Sequence, residues 1–228
     1  MLTEVKIGVL TYPIKHRKTY DVLSLLKAKG YSDVKVYAIP MTYQKKNYPL
    51  VSHRPAMTYN IPEITDVCKN LGYKYEETDI NCAIVEIDRI CLIAGANIIP
   101  NDFVREHTII NSHPGYIPNC RGLDSFKWAI VEDQPIGATT HIVGEYVDAG
   151  LVIERRKIPI LKYDTFHSVA QRVYENEISM LVDAIERYKQ QECINILPGD
   201  SIVHKRMPKE IEVNIFDLFQ KYKDKHQE

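Results

Sequence analysis

The sequence predicts an α/β fold, a mostly parallel sheet with helices on both faces and a mixed edge. Three observations carry this. Short apolar runs at residues 5–10 and 90–94 (ICLIA) suit strands buried on both faces. Amphipathic segments of helical period alternate with such runs, as strand-helix-strand units require. Residues 137–143 and 152–158 have strand character but lie too close together for a helical crossover, so they form an antiparallel or mixed edge.

The elements follow in order. After the first strand, Val22, Leu23, Leu25 and Leu26 mark a helix over residues 20–28, stopped by Gly30. Val34, Val36, Ala38 and Ile39 mark the second strand. Residues 41–61, polar and proline-bearing, read as a long loop. A helix over residues 64–71 is opened by Pro62 and closed by Gly72. Strands at 90–94 and 108–111 precede the edge pair. Phe166, Val169, Ala170, Val173, Ile178, Leu181 and Ile185 give the longest helix, with Asp164 or Thr165 as its N-cap. Residues 1–190 then form one domain and residues 191–228 a short C-terminal extension. Its Ile211, Val213, Ile215, Phe216, Leu218 and Phe219 either meet a second copy, making a homodimer, or fold back on the chain's own core.

Composition narrows the class. The chain has 228 residues, 45% hydrophobic and 26% charged, which is ordinary globular usage. Its 29 Lys+Arg against 30 Asp+Glu are a poor basis for nucleic-acid binding. No apolar run approaches the roughly 20 residues of a membrane span. The N-terminal apolar stretch is broken by Lys6 and lacks a small-residue cleavage site, so a cytoplasmic address is expected. The five cysteines, Cys68, Cys82, Cys91, Cys120 and Cys193, form no CxxC pair, so neither disulfide framework nor metal site is expected. Cys120 reads as a partly exposed bystander. Residues 14–54 hold nine Lys/Arg against two Asp, a net of +7, where a polyanionic small ligand could dock.

The densest signal runs from Ile109 to Gly150, beginning IINSHPGYIPNCRGLDSFKWAI and ending GATTHIVGEYVDAG. Asn111 ends a buried strand and His113 follows two residues on. In extended backbone both side chains face one way, into a crevice at the strand's carboxyl end. Pro114 favours extended backbone at His113, and Gly115 permits a sharp departure. Taken alone, Asn-x-His-Pro-Gly is equally a polar turn with a locally satisfied histidine, and Asp148 is equally a turn residue.

This stretch resembles the family of formyltransferases that take a one-carbon unit from 10-formyltetrahydrofolate. The resemblance rests on Asn111, His113 and Asp148, joined by Pro118, Arg121-Gly122, Gly137 and the run from His141 to Gly150, and covers roughly residues 80–190. It implies a Rossmann-like formyltransferase fold with catalytic Asn111, His113 and Asp148. In such chemistry His113 carries a proton, Asn111 donates to the developing oxyanion, and Asp148 orients His113 or holds a water beside it. The resemblance also implies that the folate donor is held by backbone groups of two loops, here Gly95, Ala96, Asn97, Ile98 and Ile99, and Val143, Gly144 and Asp148. His141 takes a framework position.

Departures from the family point to the acceptor. The purine-pathway enzyme has a glycine-rich phosphate loop after its first strand; here TYPIKHRK follows. The initiator-tRNA enzyme carries an extra barrel domain, for which the roughly 40 residues after the long helix are too few. The pattern is similar to the sugar N-formyltransferases, which implies a nucleotide-linked amino sugar as acceptor. Lys15, Arg17 and Lys18, and Lys45, Lys46, His53 and Arg54 among Tyr43, Tyr48 and Tyr59, either meet its diphosphate and stack on its base, or form a solvated basic face. Arg121 is either an acceptor contact or a loop anchor. Another small amine acceptor of purine-precursor type, or a non-catalytic folate- or nucleotide-binding relative, are the alternatives; the retained Asn111, His113 and Asp148 argue against the last.

Overall fold

A computed structural model of the chain describes residues 5–41, 49–55, 60–79, 86, 88–144, 150–191, 193–196 and 201–228. Among these, the elements run β1 (Ile7–Thr11), α1 (Arg17–Ala28), β2 (Val34–Ala38), α2 (Ile64–Leu71), β3 (Lys74–Glu77), β4 (Ile90–Ile93), α3 (Asn101–Glu106) and β5 (Thr108–His113). Then follow β6 (Arg121–Gly122), α4 (Ser125–Val131), β7 (Gly137–Ile142), β8 (Gly150–Lys157), α5 (Phe166–Lys189), β9 (Ile194–Ile196), β10 (Val203–His204), α6 (Lys209–Glu212) and α7 (Ile215–His226).

The main sheet has the order β3-β2-β1-β4-β5-β7-β8-β9. Pairing is parallel from β3 to β5 and antiparallel from β5 to β9, so the expected mixed edge is present. β1 lies between β2 and β4, with all five residues buried, which explains its unbroken apolar run. Strand order reverses there: β2 and β3 lie on one side of β1, β4 and β5 on the other. The crevice outside the carboxyl ends of β1 and β4 is therefore the topological switch point.

One face of the sheet packs Val22, Leu23 and Leu26 of α1, Ile64 and Val67 of α2, and Leu181 and Ile185 of α5 against Val9, Val36 and Leu92. The opposite face packs Phe103 of α3 against Leu10, Cys91 and Ile109. Thr165 caps α5: its side chain accepts from the Ser168 backbone N–H, and Ser168 reciprocates. In α2 the N-cap is Glu63, so Pro62 stands one residue outside the helix rather than within its first turn.

The extension folds back. β10 pairs with β6, and Ile215, Phe219 and Tyr222 of α7 are buried with Phe126, Ile130 and Phe166. Gly122 makes this possible: at φ +87, a Cβ there would run into the His204 backbone.

Candidate active site

β5 carries the predicted pair. Strand geometry continues to His113, two residues beyond the expected end, because β7 keeps pairing with it: Asn111 opposes His141 and His113 opposes Thr139. Asn111 is partly buried and His113 is 5% exposed. The turn that follows is tied down by Thr139, whose hydroxyl donates to the Gly115 carbonyl (2.8 Å) and accepts from the Ile117 N–H (3.0 Å). The imidazole Nε2 of His113 lies 2.9 Å from Ser125 Oγ and 3.2 Å from the Cys120 carbonyl oxygen. Gly115 is required by this close approach. A Cβ there would stand 2.5 Å from the Cys120 oxygen and 2.7 Å from His113 Nε2.

The loop of Gly95, Ala96, Asn97, Ile98 and Ile99 follows β4 at the switch point. Gly95 N–H donates to the Leu10 carbonyl (3.0 Å), and Asn97 Nδ2 donates to the Pro40 carbonyl (3.1 Å), which fastens the loop to the ends of β1 and β2. Gly95 backs onto Tyr12 and His16, so a Cβ there would meet both rings at 2.9–3.0 Å. Ile98 is 97% exposed and Ala96 is half-buried, whereas Gly95 is buried. Small residues and an exposed apolar side chain at such a crevice fit a flat heterocycle held through backbone groups. Across from it, Val143 N–H donates to Ile109 O (2.8 Å), and Gly144 is exposed.

Other expectations meet different fates. Asp148, Lys45, Lys46, Tyr43, Tyr48 and Tyr59 lie outside the described residues. The Arg54 guanidinium bonds Glu177 at 2.8 and 3.1 Å, and Lys18 Nζ bonds the same carboxylate at 2.7 Å. Glu177 is 1% exposed, and a buried carboxylate demands compensating charge. Burial works to raise its pKa, but the two cations outweigh that and hold it below the usual carboxylate range. Arg17 pairs with Asp21, and Lys15 Nζ lies 3.6 Å from Glu63. Burial, with Lys127, Arg54 and Arg206 nearby, lowers the pKa of His53 well below the ordinary value, and its ring stacks on Phe126. Arg121 is buried and donates to the Ser201 carbonyl and hydroxyl, both at 3.2 Å. Cys120 is fully buried rather than partly exposed, and burial pushes its thiol up to about 12.

Sequence reasoning missed Ser125, Thr139 and Glu177. Each acts through a partner 12 or more positions away, as the separations His113–Ser125 (12), Ile117–Thr139 (22) and Lys18–Glu177 (159) show. No periodicity or short motif reports such pairs. Among the described residues no group of three or more His, Cys, Asp or Glu could hold a metal ion, and no helix is long and apolar enough to cross a membrane. A groove of about 440 Å³ between α1 and α5, lined by Arg17, Asp21, Pro55, Tyr174 and Glu175 among others, includes neither Asn111 nor His113. Its carboxylates are poor company for a phosphate, and the switch-point crevice is the better site.

The chain has a mostly parallel sheet with an Asn-x-His pair at the carboxyl end of β5, the strand next to β4, and comparison with known proteins gives its family. The formyl transferase family matches residues 27–185, and the chain belongs to that family. A phosphoribosylglycinamide formyltransferase of Haemophilus influenzae is 30% identical over 136 residues, 57% of this chain and 63% of that protein. The trifunctional purine biosynthetic protein adenosine-3 of Drosophila melanogaster is 34% identical over 100 residues, 42% of this chain. The chain spans 7% of that protein's length, so it covers less than two thirds of either relative. In fold it is similar to WlaRD, a sugar 3N-formyl transferase solved in the presence of dTDP and 5-N-formyl-THF. That likeness has a TM-score of 0.63 at 14% identity, covering 96% of this chain and 81% of the other.

Proposed function

We propose that the chain transfers a formyl group from 10-formyltetrahydrofolate to the free amine of a nucleotide-linked amino sugar. The observation that carries the reaction is the placement of Asn111 and His113, two residues apart on β5, at the carboxyl end of the strand next to β4. The donor supplies an activated formyl carbon. A bond forms from the acceptor nitrogen to that carbon, and the bond from the carbon to the folate nitrogen breaks. His113 takes the proton that the acceptor amine loses and returns it to the departing nitrogen. The Asn111 amide donates to the formyl oxygen as negative charge gathers there, a contact typically worth about 3 kcal/mol of barrier. Asp148 is assigned to orient His113 or to hold a water beside it. Gly95, Ala96, Asn97, Ile98, Ile99, Val143 and Gly144 would hold the pterin.

The sugar acceptor is supported by the filling of the space after β1. A phosphate cradle needs open backbone N–H groups. Here the Tyr12 and His16 rings pack edge to face at 5.6 Å, and His16 Nδ1 lies 2.8 Å from Thr19 Oγ1. Lys45 and Lys46 are the cations proposed for the diphosphate. The second reading, a purine-precursor amine, is favoured by the identity to the Haemophilus influenzae relative. Tetrahydrofolate release tests both. With the donor present, release is expected on adding a nucleotide-linked amino sugar and not on adding glycinamide ribonucleotide. The opposite outcome overturns the sugar reading and leaves formyl transfer intact.

A further inference from the structure

We propose that residues 49–55 form a fixed wall of the acceptor site, and that His53 is its specificity-determining residue, a hydrogen-bonding partner for a hydroxyl or amide group on the sugar ring. The inference rests on the amino-sugar acceptor proposed above and deepens it.

Buried carboxylates hold the segment towards both of its ends. Glu212, 1% exposed, accepts the Leu50 N–H at 2.8 Å and the Val51 N–H at 3.3 Å. Glu177, also 1% exposed, accepts from Arg54 Nη2 at 2.8 and 3.1 Å. The Arg54 guanidinium lies over the Tyr174 ring, 5.7 Å from its centroid, and Ser52 Oγ donates to the Arg54 carbonyl at 3.0 Å. Burying a carboxylate is costly, yet two of them, from α5 and α6, converge on one short loop. Such bracing fixes the side chain that lies between them in sequence, His53. Its ring stacks on Phe126 with centroids 5.9 Å apart.

The braced ring stands beside the proposed reaction centre, on the side away from the donor loops. His53 and Arg54 line one cavity with Pro114, which follows His113, and with Phe126, which follows Ser125, the residue 2.9 Å from His113 Nε2. Tyr174 and Glu177 of α5 complete that wall. The proposed donor loops belong to the other face of the sheet, where Ile99 packs with Phe103 and Ile109, and Ala96 and Val143 lie against them. An amine that attacks the formyl carbon from the side opposite the folate arrives past Pro114 and His53. Among the described residues neither ring nitrogen of His53 has a hydrogen-bond partner, and a half-buried imidazole in that state is completed by a polar group brought from outside. The cations around it, Lys127, Arg54 and Arg206, already have carboxylate partners in Glu212, Glu177 and Asp124, and they disfavour a charged ring. A neutral ring offers one donor and one acceptor, which suits a hydroxyl or an amide better than a diphosphate.

The test separates the sugar from the nucleotide. His53→Phe keeps a ring to stack on Phe126 and removes both nitrogens. Steady-state kinetics is run with the nucleotide-linked amino sugar that wild type uses, and titration calorimetry with that compound and with its nucleoside diphosphate alone. In His53→Phe the acceptor KM and Kd are expected to rise about 10-fold, the loss of one hydrogen bond. The donor KM, the melting temperature and the Kd of the nucleoside diphosphate should hold, and His53→Gln, which restores a donor and an acceptor, should lie closer to wild type. An unchanged acceptor KM overturns the inference, and so does an equal loss of affinity for the nucleoside diphosphate alone. If the phenylalanine does not fit and the variant unfolds, His53→Ala reads the same split. A wild-type protein that uses only glycinamide ribonucleotide overturns the proposed acceptor and with it the sugar contact of His53. In that case the KM for glycinamide ribonucleotide decides the wall by itself: a rise in His53→Phe upholds it and an unchanged value overturns it.

Discussion

Asn111 and His113 are the residues proposed for the chemistry, and Glu177 is the buried carboxylate that Lys18 and Arg54 neutralise. Substitution should separate these roles. Asn111→Ala is expected to lower kcat about 10²–10³-fold, as loss of one oxyanion donor does, with the melting temperature nearly unchanged. Steady-state kinetics beside thermal melts checks this, and a fully active or unfolded Asn111→Ala protein would count against the assignment. Glu177→Ala should behave oppositely. It strands Lys18, itself 6% exposed, without a counter-charge and is expected to cost about 3–5 kcal/mol in urea denaturation. Lys45→Glu tests the proposed diphosphate contact, and should raise the KM for the nucleotide sugar while leaving that of the donor and the melting temperature alone.

The start of α5 is a second source of stability, and it responds to pH. The Asp164 carboxylate receives both Arg172 guanidinium nitrogens at 2.8 Å, the Leu161 N–H at 2.7 Å and the Ser168 hydroxyl at 2.9 Å. Led by the Arg172 hydrogen bonds, and against burial, these hold its pKa at about 2. An unfolded aspartate titrates near 3.9. The folded value is the lower one, so its stabilisation is fully present above about pH 4 and is lost as pH falls towards 2. Asp164→Asn should therefore destabilise the protein at pH 7 and flatten the fall of stability over that acid window. Circular-dichroism melts at several pH values provide the check; parallel curves for variant and wild type would refute it.

Across the whole molecule, the extension closes the fold. The buried Lys127–Glu212 ion pair joins α6 to α4, and Glu212 accepts backbone N–H bonds from Leu50 and Val51 at 2.8 and 3.3 Å. One carboxylate thus ties the extension to the loop that precedes Arg54. Phe219→Ala empties a site beside Phe166 and should cost about 3–5 kcal/mol by chemical denaturation. Of the six apolar residues proposed for a partner surface, Ile215 and Phe219 are spent inside the chain, while Val213 and Phe216 are 63% and 49% exposed. The homodimer proposal rests on those two, and light scattering showing a monomer at micromolar concentration would reject it.

The sequence by itself determined the α/β class, the buried strands around the switch point, the long capped helix and the Asn111–His113 pair. These are local properties: apolar runs, helical period, and two side chains on one face of a strand. Strand β3 escaped notice because Lys74–Glu77 is an edge segment of charged and aromatic residues without an apolar run. How the cations pair was equally illegible, since Arg54 and Lys18 converge on Glu177 only when α1 and the loop before α2 pack on α5. Tertiary structure alone also decided that the extension folds back, and that a serine twelve residues away meets His113. Burial and hydrogen-bond completion across distant segments settle such matters, and neither has a period or a spacing along the chain.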